Sequence, residues 1–466
     1  MSKSFMAKRA NTRQLKKNVK QLKEKTKRIA ILEGSAWAVM AGSGVYAITP
    51  YAVALGASNF VIGLISAFST ISSSIGDYLG SWFLQFSKSR KTQLFWSMLV
   101  QAFLWIPIGF LFLFSPGISG VSLLILYSLS SFLGSFGGSA WLSLIGDSVD
   151  EKERGTYFGK RNKVLGIVQL ITSLAAGLLL NVLTKNVFIG FITIFAASFV
   201  FRAISAYLLN QYWEPLFKKQ RVSLLKTIEF PKDPYFRNFI ILSAGLIFAT
   251  NVGSPFMSVY MLKDLRFDYL SFSIATIASV VSTLITNPYW GKVIDKYGTR
   301  PVLFATSSLI VLIPFLWILS TDLLGVVLTQ LYSGFVWAGF NLSIVNFLFR
   351  VAPHDKIPAY AAHTNGISDI STFLGASVGS LMVLFLNGAP LFFMSTLQVT
   401  FFVSGILRLL FVAYALPNLS KNMAVRGDRF LLRVVTVYPI KGMQMELMSL
   451  HDTFTSLIGL PKKLRR

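Results

Sequence analysis

Four ionisable side chains stand inside long apolar runs of this chain: Asp77, Arg202, Asp369 and Arg408. A charged group in such surroundings is costly and needs a partner, so each is a candidate for function or for structural pairing. A second candidate is the stretch Gly291-x-x-x-Asp295-x-x-Gly298-x-Arg300. It sets a charge pair beside two glycines, where Gly291 permits close helix approach and Gly298 a tight turn. A charge pair at a helix end can fasten two helices in one state and release them in another. Other chemistries are closed to the chain. It has no Cys and only His354, His363 and His451, which excludes disulfides, thiol chemistry and a histidine-rich metal or catalytic cluster. No cofactor is expected.

These residues need a scaffold, and composition says which. Of 466 residues, 53% are hydrophobic and 14% charged, with a net charge of +25 and a mean hydropathy of +0.60. The segments 1–28, 211–237 and 418–466 hold 33 of the 63 charged residues, leaving too few to cover a water-soluble protein of this size. A soluble enzyme, a disordered chain and a nucleic-acid binder are thereby excluded, and a polytopic membrane protein is implied. The first thirty residues lack the apolar core and small-residue cleavage site of a signal peptide and read as a basic tail.

A membrane helix needs about 20 residues, and the apolar blocks 29–210 and 238–417 each accommodate six. Turn and charge signals place spans near 35–56, 59–84, 92–114, 119–146, 163–183 and 187–210, then near 238–262, 269–290, 301–320, 323–350, 360–385 and 392–417. Backbone groups in lipid must be satisfied within each segment, so the expected fold class is all-α, with twelve transmembrane helices in two pseudo-symmetric six-helix bundles. With both tails on one side, that side carries 39 of the 44 basic residues, and the other carries only Lys185, Lys263 and Arg266. Both termini are accordingly expected in the cytoplasm, and the plasma membrane is the expected location. The basic tails, including Lys16, Lys17, Lys20, Lys23 and Lys462 to Arg466, are expected to meet anionic lipid headgroups rather than nucleic acid. Segment 211–237 reads as an interfacial linker. The short apolar run Phe430–Tyr438 in the C-terminal tail is too short to span and reads as lying on the membrane surface or against the cytoplasmic loops.

The two blocks echo each other. Pro50-Tyr51 answers Pro255-Phe256, Leu142-Ser143-Leu144 answers Leu342-Ser343-Ile344, Tyr157 and Asn162 answer Tyr360 and Asn365, and Arg202 answers Arg408. The stretch Ser81 to Arg90 likewise answers Gly291 to Arg300. Internal symmetry of this kind builds many transporters around a site between the repeats. The Gly291–Arg300 pattern resembles the cytoplasmic signature loop of the major facilitator superfamily, and Gly146-Asp147 through Arg154-Gly155 to Arg161-Asn162 resembles the loop between helices 4 and 5 of the same family. The resemblance covers 29–417. The first-half loop departs from it, with Ser81, Gln85 and Lys88 in place of Gly, Asp and Gly, so that only Arg90 remains.

The resemblance implies that charge pairs brace the cytoplasmic side. Asp295 would pair with Arg300 and Arg350, and Asp147 with Arg90, Arg154 or Arg161, with Gly155, Gly291 and Gly298 at the turns. It implies that helices 2 and 11 face each other, so that Asp77 and Asp369 could exchange a proton as the site changes exposure. Asp369 is the expected partner of Arg408, whereas Arg202 has none, because Gly166 occupies the matching position. Both arginines are expected to be structural. The resemblance also implies that helices 1, 4, 7 and 10 line a central cavity. Tyr46, Thr49, Ser135, Ser139, Trp141, Asn251, Ser254, Trp337 and Asn341 would face it, a set that suits a neutral or weakly polar organic solute. Glu33, just before the first span, is expected to be solvated. Marks of drug antiporters, peptide carriers and sugar porters are absent.

The expected function is a monomeric secondary carrier for a small organic solute, with membrane lipids around it and protons as the candidate coupling ion. The competing readings are a lipid carrier or sensor on the same fold and, further off, a membrane enzyme.

Overall fold

In the computed structural model, residues 2–87, 89–150, 153–215, 234–351, 357–386 and 394–420 are described. The linker 216–233 and the tail from 421, with Phe430–Tyr438, lie outside them. Among the described residues, twelve helices are long and apolar enough to cross a membrane. The first six are α1 (Lys17–Ala54), α2 (Asn59–Phe83), α3 (Arg90–Leu113), α4 (Pro116–Ser148), α5 (Arg154–Val182) and α6 (Thr184–Leu209). The second six are α7 (Phe236–Asp264), α8 (Tyr269–Tyr297), α9 (Thr299–Leu319), α10 (Leu323–Leu348), α11 (His363–Leu386) and α12 (Thr396–Leu416). Each overlaps its expected span, but α5 begins at Arg154 rather than near 163, α8 runs on to Tyr297 rather than near 290, and the helix of α1 begins at Ser2 and runs unbroken into the span. The basic tail is therefore a helical extension, because Lys, Arg, Gln and Leu carry good helix propensity and no Gly or Pro interrupts them.

Local sequence sets the ends and irregularities. Ser58 and Ser89 cap α2 and α3, their hydroxyls accepting from the N–H of Val61 and Thr92. Pro50 in α1 and Pro255 in α7 each remove a helical donor, and each helix contains a π-turn, at Ala41–Val45 and Tyr260–Asp264. Gly298 separates α8 from α9 with φ of 87°, a conformation that favours glycine, so the tight turn expected there is present.

The chain divides into two units, Met1–Thr227 with Asp268–Leu270, and Ile228–Phe267 with Ser271–Arg466. In the first, α2 packs on α4, α3 on α4 and α6, and α1 on α5 and α6. In the second, α7 packs on α11 and α12, and α9 on α10 and α12. Contact of α8 with α10 runs through Ser282 Oγ donating to Leu331 O (2.6 Å) and Trp290 Nε1 to Phe335 O (2.7 Å). Adding six to each helix number thus converts one set of neighbours into the other, as the sequence repeat requires. Small residues allow the approach: a Cβ on Gly76 would collide with Phe132 O, and one on Gly375 with Phe248 O.

Candidate functional site

The densest polar geometry of the first unit lies where α2, α3 and α4 end. Ser89 caps α3, which places Arg90 on its first turn, where it is only 2% exposed. Its Nη1 donates to Asp147 Oδ2 (2.8 Å) and Ser143 Oγ (2.9 Å), both on α4. A second acid, Glu214, enters from the segment after α6. Glu214 Oε1 accepts from the Arg90 backbone N–H (2.7 Å) and stands 3.5 Å from Arg90 Nε, while Oε2 accepts from Ser89 Oγ (2.6 Å). An anion there satisfies a free backbone donor and meets the positive end of the helix. Glu214 therefore supplies the acid that Gln85 does not. Sequence reading missed it, because its only signal was an isolated acid beside Pro215, about 130 positions from the loop it completes. Of the other expected partners, Arg154 donates to Gly146 O (3.4 Å), and Gly155 has open space where a side chain would go.

The helical extension is docked beside this site. Lys23 and Lys27 pair with Asp150 and Glu153 at 3.0 Å each, and Tyr157 OH donates to Lys27 O (2.9 Å). The Lys23 ammonium holds the Asp150 carboxyl below its usual range. The contribution of that pair is therefore present above the ordinary carboxylate pKa and is lost as pH falls through the lowered one.

Glu33 corrects the sequence reading. It is 5% exposed, not solvated, because α1 continues past it and α5 and α6 close over it. Its carboxylate accepts from Ser205 Oγ (2.8 Å) and Tyr212 OH (3.2 Å), with Arg161 Nη2 at 3.7 Å. Burial, with the Glu33 charge second, pushes the Tyr212 phenol well above its ordinary range, so it stays a donor. Arg202, for which the sequence offered no partner, belongs to the same cluster. It donates to Gln101 Oε1 (2.6 Å) and Ser205 Oγ (3.3 Å) and contacts Met98 Sδ, with Glu33 as its nearby acid. Arg161 lies over the Trp141 ring at 4.5 Å, and Trp141 Nε1 donates to Tyr212 OH (3.4 Å). Arg161 and Trp141, expected at the gate and the cavity, thus join one network with Glu33 and Tyr212.

The second unit differs at the matching places. Asp295 is exposed and makes no ion pair with Arg300, whose guanidinium stands 6.0 Å from the Phe347 ring. Asp295 lies near the end of α8 and Arg300 on the first turn of α9, on either side of the Gly298 turn. Gly291 meets only Leu342 Cδ2 at 4.0 Å, so no close approach depends on it. The side chain of Arg350 lies outside the described residues. Arg408 does not pair with Asp369. It is 1% exposed, donates from Nη1 to Ile310 O (3.0 Å) on α9, and leaves its buried Nε without a partner. Its side chain is directed at the α9 backbone, whereas Asp369 sits half-buried on α11.

A buried cation without an acid recovers little of its desolvation cost. Arg408→Met is expected to leave the unfolding temperature unchanged or raise it, whereas Arg202→Met should lower it. Thermal unfolding of both purified variants checks the difference.

The remaining candidates are placed as follows. Tyr46 and Thr49 are half-buried on α1 beside Pro50, and Asp77 is exposed on α2. Ser135 Oγ meets Ser73 Oγ of α2 at 2.6 Å, and Ser139 Oγ donates to Phe136 O (3.0 Å). Asn251 Nδ2 donates to Ile247 O (2.8 Å) and Thr372 Oγ1 of α11 (3.3 Å), and Ser254 Oγ donates to Asn251 Oδ1 (3.3 Å). Trp337 meets Phe340 edge-on at 5.4 Å, and Asn341 is exposed one turn further along α10.

The sequence model of the Major Facilitator Superfamily matches residues 31–380 and 239–435. No curated protein matches the chain. Among solved structures, a bacterial homologue of the iron transporter ferroportin in its inward-facing state aligns with a TM-score of 0.65 at 16% identity, covering 85% of this chain and 99% of that one. A mutant of the nucleoside transporter NupG aligns at 0.63 with 13% identity, and a bacterial metal transporter at 0.62 with 14%, each over 85% of this chain and 99% of the other. At such identities the likeness is one of fold.

Proposed function

This chain belongs to the major facilitator superfamily and is an integral-membrane transporter, and from that premise we propose that it carries a small, neutral or weakly polar organic solute by proton-coupled alternating access. The bundles 29–210 and 238–417 would rock about a shared site, joined by the linker 211–237. The tails 1–28 and 418–466 would lie in the cytoplasm of a plasma-membrane monomer. Orientation rests on the concentration of Lys and Arg at one end of the spans.

The observation that carries the reading is the Arg90–Asp147–Glu214 clasp. A buried arginine with two acids from different segments is a fastening whose strength depends on geometry, as a two-state carrier needs. The solute class is supported by Tyr46, Thr49, Ser254, Trp337 and Asn341, which offer rings, hydroxyls and an amide but no arginine pair for a polyanion. Proton coupling is supported by Asp77 and Asp369, acids within the spans α2 and α11.

Flux measurements in proteoliposomes, with and without an imposed pH gradient, test both parts across sugars, nucleosides, organic acids and hydrophobic cations. Asp77→Asn or Asp369→Asn should abolish gradient-driven accumulation while sparing exchange of solute for solute. Equal loss of accumulation and exchange would assign the acid a structural role, and absence of any solute flux would remove the carrier reading.

A further inference from the structure

A cleft of about 410 Å³ opens between α2, α3 and α4, one turn from the clasp. Its walls are aromatic: Phe83 leans on Phe136 at 5.6 Å between ring centroids, and Phe132 stacks on Phe136 at 5.8 Å. At its mouth are Trp96 and Val100, which begin an exposed apolar stripe continued on α3 by Phe103, Ile106 and Phe110. Spacings of three and four residues put this stripe on one helix face, and on a membrane-spanning helix such a face meets acyl chains. The cleft opens into the bilayer.

Its polar wall is less ordinary. Gln93 is 6% exposed, and its amide nitrogen donates to Gly80 O on α2 (2.9 Å) and Phe136 O on α4 (3.1 Å). The amide oxygen, Oε1, is buried and has no partner. An acceptor left without a donor in a low-dielectric place is costly, so this atom calls for a donor from outside the protein. Gln93 stands on the first turn of α3, at headgroup rather than mid-bilayer depth, with Ser87 and Thr92 also lining the cleft.

We propose that the cleft is a binding site for a phospholipid whose headgroup carries a hydroxyl. One acyl chain lies among Phe83, Trp96, Phe132 and Phe136, and the headgroup hydroxyl donates to Gln93 Oε1. The volume falls in the range of ordinary ligand sites. Through Gln93 the lipid touches the residue that ties α2 and α4 to α3, so occupancy bears directly on the helices that form the clasp. The proposal is independent of which solute the protein carries.

The test uses the full chain in phosphatidylcholine bilayers, titrated with phosphatidylglycerol brominated on its acyl chains and, in parallel, with brominated phosphatidylcholine, which has no headgroup donor. The contribution of Trp96 is the difference in fluorescence quenching between the wild type and Trp96→Phe. Quenching of Trp96 should saturate at a mole fraction of phosphatidylglycerol at least about threefold lower than that of phosphatidylcholine. Gln93→Met should remove that preference. Val100→Phe, which narrows the cleft and leaves the bonds of Gln93 intact, should remove it too and serves if Gln93→Met does not fold. Equal mole fractions for the two lipids, or a preference that survives Val100→Phe, would overturn the proposal and leave only attraction of an anionic lipid to the basic surface.

Discussion

Glu33→Gln should destabilise the first unit by about 3–5 kcal/mol, the usual cost of removing one member of a buried ion pair. The carboxylate is shared: Arg161 stands 3.7 Å away, Arg202 is buried beside it, and Ser205 and Tyr212 both donate to it. A neutral amide would leave two guanidinium groups at the same place with no opposing charge. The loss should appear as a lower unfolding temperature of the purified protein and a smaller membrane-inserted yield. Arg202→Met should cost a comparable amount alone. The double variant Glu33→Gln with Arg202→Met should lose less than the sum, by about 0.5–3 kcal/mol, because the two groups offset each other. Strict additivity would show that Glu33 and Arg202 do not interact.

Arg90→Ala should reduce solute flux by at least about tenfold, equivalent to roughly 1.4 kcal/mol. The side chain links Asp147 and Ser143 on α4 to Glu214 beyond α6, and these contacts use several faces of one planar group. Arg90→Lys keeps the charge but not the fork, so it should recover only a small part of the flux. Glu214→Gln should fall between the two, since its single amide oxygen can still accept from the Arg90 N–H, but the acceptor facing Ser89 Oγ becomes an NH2 donor and the charge is lost. Flux should be compared at matched protein density, with the unfolding temperature of each variant measured alongside. A variant that folds normally and transports normally without Arg90 would remove the clasp from the proposed mechanism.

Much of the architecture was legible in the chain. The twelve spans, the all-helical class and the pairing of repeats followed from apolar length, charge placement and the recurrence of Pro50 as Pro255 and Arg202 as Arg408. These are properties of single segments or of segments compared with each other, which is why a linear reading reaches them. Arg90 with Asp147 was also within reach, because the family resemblance pointed to both. Glu214 was not, since its partner lies far away in sequence. Glu33 was misread for a related reason: its position before the expected span suggested water, but the helix starts earlier and neighbouring helices cover it.

What the sequence decided by itself is the medium and the element type: a chain this apolar, with its charges gathered at the ends of its spans, must put helices through lipid. What tertiary structure alone decided is which charges meet. Arg202 found Gln101, Ser205 and the field of Glu33, while its repeat partner Arg408 found a backbone carbonyl, although both stand at matching places in their units. Hydrophobic patterning acts over a helix and tolerates error, whereas a buried ion pair depends on a few ångströms between side chains from separate helices, a distance that exists only once those helices have packed.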